Sequence, residues 1–178
     1  MSYLRALLEK DQDLTRRLQV VEQSGFWRAL SVVLAHSGDS WFWLVAVGLL
    51  WWLGDADWQK RALVFGFSIL VTAIAVLVVK FSVRRRRPEG KWGEVYRKTD
   101  PHSFPSGHAA RAFMLVVMGF GLGPPWLGWT LLVWAPLVTL ARVAMGVHYL
   151  SDVLAGALFG LLMGWLLVNV IPLLPFLA

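Results

Sequence analysis

The chain has 178 residues, of which 57% are hydrophobic and only 16% charged, and it contains 11 Trp, 10 Phe and no Cys. Soluble domains carry about 45–50% apolar and about 25% charged residues, and the mean hydropathy here is +0.59. This composition excludes an intrinsically disordered protein, a disulfide scaffold and a cysteine zinc site, and leaves the redox compartment open. The net charge is +6 and the pI about 10.2. The excess sits mainly in Arg84–Lys98, beside long apolar runs. That points to a membrane surface or an anionic lipid rather than to nucleic acid.

The N-terminal segment MSYLRALLEKDQDLTRRLQVVEQ carries no secretory-signal pattern. Leu4, Leu7, Leu8, Leu14 and Leu18 share one side of a helix, with Arg16 and Arg17 outside it. Two readings stay open: an amphipathic helix at the membrane interface, or a solvated helix capping a bundle. Phe26 to Ala35 is apolar but too short to span. Spanning helices need about 17–25 apolar residues. The first candidate lies between Asp39 and Asp55, and the second runs from Ala62 to about Val83 with Lys80 as its one charge. Residues 112–141 are uncharged and too long for one span, and Gly123-Pro124-Pro125 divides them. The last stretch follows Asp152 and continues to Ala178. The expected fold is an all-α integral membrane helical bundle of about five, or six, transmembrane helices with an amphipathic N-terminal helix. Residues 1–36 form the N-terminal region and 37–178 the bundle. Alternation puts 84–105, 145–150 and the N-terminus on one side, and 55–61, 122–126 and the C-terminus on the other.

The unusual polar residues fall on the first side. Lys80 and Arg87 are seven residues apart, about two helical turns, and share a face if the helix persists; Pro88 then ends it. Pro105-Ser106-Gly107-His108 opens the third span, with Ser106 as N-cap and free N–H groups suited to a phosphate oxygen. Arg142 sits near the end of the fourth span, and His148 and Asp152 form an i, i+4 pair at the start of the fifth. Three cations imply a highly charged anion, and phosphate suits them better than carboxylate. Asp152 can take a hydrogen bond from one nitrogen of His148 and leave the other as nucleophile or base, with His108 as general acid. Metal binding is the rival use of two His and an Asp, but the cations would repel a divalent ion. No metal or other cofactor is expected.

Lys80-x6-Arg87-Pro88, PSGH at 105–108 and Arg142-x5-His148-x3-Asp152 together resemble the three-part signature of the type 2 phosphatidic acid phosphatase superfamily. The match covers residues 80–152, about 40% of the chain. The resemblance implies a membrane lipid phosphate phosphatase. Lys80, Arg87 and Arg142 would hold the phosphoryl oxygens with Ser106 and the Gly107 N–H. His148 would attack phosphorus to form a phosphohistidine, Asp152 would fix its tautomer, and His108 would protonate the leaving alkoxide and then activate water. The third motif usually begins Ser-Arg, whereas this chain has Ala141-Arg142.

Phosphatidic acid, phosphatidylglycerol phosphate and polyprenyl phosphate or diphosphate are the candidate substrates. A lipid phosphotransferase using the same site, and a weakly active lipid-phosphate-binding protein, are the alternatives. The expected partners are a phosphorylated lipid and the bilayer, and the oligomeric state is not fixed. The expected location is a bacterial or archaeal cytoplasmic membrane. The positive-inside rule would put the site face in the cytoplasm, whereas the resemblance favours the extracytoplasmic face, which is the reading adopted.

Other residues have plainer readings. Arg84, Arg85 and Arg86 read as topology determinants or headgroup contacts. Arg111 either faces the pocket or snorkels. His102 reads as a surface histidine, and His36 and Asp39 as the end of one short helix and the cap of the next. Trp41, Trp43, Trp51 and Trp52 read as an aromatic belt, and Glu89, Glu94 and Asp100 as balancing charges.

Overall fold

A computed structural model describes residues 2–20, 25–89 and 100–174. Glu94, Lys98 and Ala178 lie outside the described residues, as does the side chain of Leu4. The described residues form seven helices: α1 (Ser2–Leu18), α2 (Phe26–Ser37), α3 (Ser40–Leu53), α4 (Ala56–Val83), α5 (Gly107–Leu122), α6 (Pro125–Ala144) and α7 (Leu150–Val170), with a short 3₁₀ turn at Ile171–Leu173. The all-α expectation holds. Length and composition qualify α4, α6 and the α7 segment to cross a membrane, and the α2–α3 pair, bent by 57°, makes a fourth candidate. The expected five spans require α3 and α5 to cross with 14 and 16 residues.

Local chemistry sets the helix ends. The Asp55 carboxylate caps α4 by accepting from Trp58 N at 3.0 Å. At its other end Arg84 adopts a left-handed conformation with φ 55°. The α4 helix therefore stops before Arg87, and the expectation that Lys80 and Arg87 share one helix face is corrected: Arg87 reaches the same place from the loop. Pro124 and Pro125 start α6, as the breaker signal predicts.

Helix α5 is the centre of the bundle, packed by α4, α6 and α7. Phe65 and Ile69 of α4, Met114, Leu115 and Met118 of α5, Leu131 and Ala135 of α6 and Leu167 of α7 share its core. The α5–α7 seam is closed by glycines. A Cβ at Gly160 would lie 2.1 Å from Ala110 O, and those at Gly156 and Gly164 would crowd Ser106 and Val117. Small residues at this spacing let helix backbones approach closely in an apolar medium. The outer surface keeps Leu154, Leu158, Leu162 and Trp165 exposed, as a lipid-facing wall requires.

The helix ends sort onto two faces. At one end Arg61 donates to Leu122 O, and Trp58 packs on Trp126. At the other end the loop after α4 pairs with the loop before α5: Ser103 N donates to Arg85 O at 2.8 Å. There α2 packs Ala35 against Ala141, Met145 and Val147. Helix α1 lies across the same end, with Thr15 buried and Leu7, Leu8, Leu14 and Leu18 exposed. Trp43 departs from the aromatic-belt expectation, because its indole donates to Ser37 O at 3.1 Å and its ring packs on Trp134.

Candidate active site

A cavity of about 190 Å³ opens at this second face. Its wall includes Lys80, Arg87, Gly107, His108, Arg142 and His148, six of the eight residues singled out from sequence. Thr72, Ala73, Val76 and Leu77 of α4 form an apolar flank. Lys80, Arg87, Arg142 and His148 are all buried.

His148 presents Nε2 to Arg87 Nη1 at 3.2 Å, and Arg87 also donates to Val147 O at 2.8 Å. Burial first, and then the charges of Arg87, Arg142 and Lys80, hold the His148 imidazole well below the ordinary histidine range. The neutral ring, with a lone pair on one nitrogen, is the form a nucleophile needs.

Asp152 is fully buried behind His148 rather than on the cavity wall. Its Oδ2 lies 3.7 Å from His148 Nδ1, beyond hydrogen-bond range. That oxygen instead accepts from Tyr149 N at 2.9 Å, closing the first turn of α7. The expected tautomer-fixing bond is therefore long in this structure. Catalytic hydrogen bonds of this kind often tighten only once substrate is bound.

Ser106 is also behind the wall. Its hydroxyl accepts from Ala109 N, and its own N–H donates to Asp152 O at 3.0 Å. It ties the start of α5 to α7, while Gly107 alone of the pair borders the cavity.

The model of the PAP2 superfamily matches residues 61–174. This chain belongs to the PAP2 superfamily. It is 31% identical over 135 residues to the decaprenylphosphoryl-5-phosphoribose phosphatase of Mycobacterium tuberculosis, covering 74% of this chain and 73% of that one. It is 29% identical over 149 residues to the undecaprenyl-diphosphatase of Sulfolobus acidocaldarius, covering 79% and 69%. The transmembrane PAP2-type phosphatidylglycerolphosphate phosphatase of Bacillus subtilis superposes with a TM-score of 0.68 at 25% identity, over 95% of this chain and 88% of that one. Aquifex aeolicus LpxE shares the fold, with a TM-score of 0.69 at 21% identity, over 88% and 93%.

Several partners in this PAP2 site escape a reading by motif. Asp39 is not a side-chain cap of α3; its Oδ1 pairs with His108 Nε2 at 2.7 Å and its Oδ2 with His36 Nδ1 at 2.9 Å. Asp100 does more than balance a basic loop. Its carboxylate bridges Lys80 Nζ and Arg87 Nη2, the latter at 2.8 Å. Arg111 faces the pocket rather than snorkelling. It borders the cavity and donates to Ser40 Oγ at 2.6 Å and to Gly38 O. Ala141, at the usual serine position, packs in the apolar seam with α2 and is not part of the cavity wall. His102 packs edge-on against Phe81. Arg85, read as a topology residue, instead donates to Asp152 Oδ1 at 2.7 Å.

Proposed function

We propose that this chain is an integral membrane phosphatase that removes phosphate from a lipid phosphate monoester or diphosphate through a phosphohistidine. The observation that carries the reading is a buried His148 facing the same cavity as three cations and His108. In this reading Lys80, Arg87 and Arg142 neutralise the phosphoryl oxygens, displacing the Asp100 carboxylate. His148 Nε2 forms the bond to phosphorus as the phosphorus–oxygen bond to the lipid breaks. His108, oriented through Nε2 by Asp39, gives its proton to the leaving oxygen. It then takes a proton from water, whose oxygen attacks phosphorus, releases inorganic phosphate and regenerates His148. Positioned charge of this kind is the main source of rate in phosphoryl transfer.

Three of the relatives named above are phosphatases of prenyl or glycerol lipid phosphates, which supports this substrate class. We read helices α3 to α7 as five crossings, residues 37–178 as the catalytic bundle, and residues 1–36 as a region applied to its site face. That face is read as extracytoplasmic.

Detergent-solubilised protein should release inorganic phosphate from phosphatidic acid, phosphatidylglycerol phosphate or a polyprenyl phosphate or diphosphate in EDTA. His148→Ala should lower the rate by at least about 10³-fold. Labelled lipid phosphate should leave an acid-labile label on the wild type and none on the variant. No release from any of these lipids, or equal release by the variant, would defeat the reading.

A further inference from the structure

Asp152 is held on the side away from His148 by a chain of charges that ends in α1. Its Oδ1 accepts from Arg85 Nη1 at 2.7 Å. The other amino group of Arg85 donates to Asp11 Oδ2 at 2.7 Å, and the guanidinium carbon lies 4.1 Å from the centre of the Tyr149 ring. Asp11 in turn accepts from Ser151 N at 3.0 Å and from Ser151 Oγ at 2.5 Å.

These are not loose surface pairs, whose net contribution is small. The Asp11, Arg85 and Asp152 side chains are 13%, 19% and 0% exposed. Arg85 thus has a carboxylate on each side, and neither amino group can leave its partner without stranding a mostly buried charge. Tyr149 N and the Ser103 side chain also engage the Asp152 carboxylate. Arg85 adds a charged partner at Oδ1, and Asp11 fixes Arg85.

We propose that Asp11 and Arg85 are positioning residues for the phosphoryl-transfer step. They set the place from which Asp152 approaches His148 Nδ1. This inference rests on the reading of His148 as nucleophile with Asp152 as its partner. As the bond from Nε2 to phosphorus forms, positive charge grows on the ring, and its N–H at Nδ1 needs an acceptor at hydrogen-bond distance. The 3.7 Å separation must close then, and a carboxylate held at its other oxygen closes it along one path. The effect belongs to turnover rather than to phosphate binding.

The test uses full-length protein in detergent with the lipid phosphate that it hydrolyses. Asp11→Asn should lower kcat about tenfold, with KM within twofold, and Asp11→Glu should restore most of the loss. Arg85→Ala should lower kcat at least as far, and Asp11→Asn should add little in the Arg85→Ala background. That non-additivity marks residues acting in series. Thr15→Val is the control, because it removes the other α1–α7 hydrogen bond, from Leu150 N to Thr15 Oγ1 at 3.0 Å. It should lower the melting temperature while leaving kcat within twofold. Unchanged kcat in Asp11→Asn, losses that simply add, or an equal loss of kcat in Thr15→Val would overturn the inference while leaving the phosphatase reading intact. A wild-type chain that releases no phosphate would overturn both.

Discussion

At the residue scale, the sign of the His148 shift makes a measurable demand. Burial and three cations favour the neutral ring, so the folded value lies below the unfolded value of about 6.5. The folded protein then binds fewer protons at this site than the unfolded one. The stabilisation is present above about pH 6.5 and is lost as pH falls towards the folded value, at up to about 1.4 kcal/mol per pH unit. Thermal melts between pH 7.5 and 5.5 should show a fall in the wild type that is smaller in His148→Gln; parallel curves would contradict the assignment. Asp100 makes a second demand. Its carboxylate competes with any incoming anion for Lys80 and Arg87. Asp100→Asn should therefore strengthen inhibition by inorganic phosphate about three- to tenfold. Weaker inhibition would mean that Asp100 organises the two cations instead.

What the sequence reveals and conceals divides along the same lines. Lys80, Arg87, His108, Arg142 and His148 are legible because a cation or imidazole beside an apolar run needs a reason to be there. Asp39, Asp100, Arg85 and Asp11 are ordinary end-of-helix or loop charges in one dimension. Their roles depend on partners 69, 20, 67 and 74 residues away. Spacing along one helix carries no information at those separations. Ser106 and Asp152 lie behind the cavity wall rather than on it, a distinction a motif does not carry, since burial behind a wall and exposure on it leave the same trace in it.

At the element scale, the α5–α7 seam transmits the fold to the site. Glycines at 156, 160 and 164 bring the α7 backbone against α5, and the same approach lets Ser106 N reach Asp152 O. Gly160→Val should destabilise the bundle by about 1–3 kcal/mol, because its side chain meets the Ala110 backbone rather than a movable group. The melting temperature in detergent should fall, with loss of phosphate release at temperatures that the wild type tolerates. Gly48, where an added Cβ meets nothing within 4 Å, is the neutral control. Helix propensity and hydropathy locate α5 and α7 but are silent on how closely they pack. The early end of α4 at a left-handed Arg84 is equally silent, because three more arginines continue a good helical composition.

At the scale of the whole molecule, the two faces differ in charge. Lys60 and Arg61 mark the far face, and Arg61 is engaged with the α5 carboxyl end. Arg85 and Arg87 at the site face are bound to carboxylates. They are therefore weak topology signals, which lowers the positive-inside argument for a cytoplasmic site. With five crossings and an extracytoplasmic site, a reporter fused after Ala178 should read cytoplasmic. An extracytoplasmic reading would reverse the assigned orientation or change the number of crossings.

The size of the cavity has one further consequence. About 190 Å³ is less than the roughly 300–1,000 Å³ that encloses a drug-sized ligand. On the proposed function, a phosphoryl group and the first atoms beyond it would fill this space, with the hydrocarbon chain outside it. Tail and head are thus judged by different solvents: the bilayer concentrates and aligns the tail, and the protein inspects the head. On the same reading, lipids that differ in chain length but share a terminal phosphate would compete for one socket.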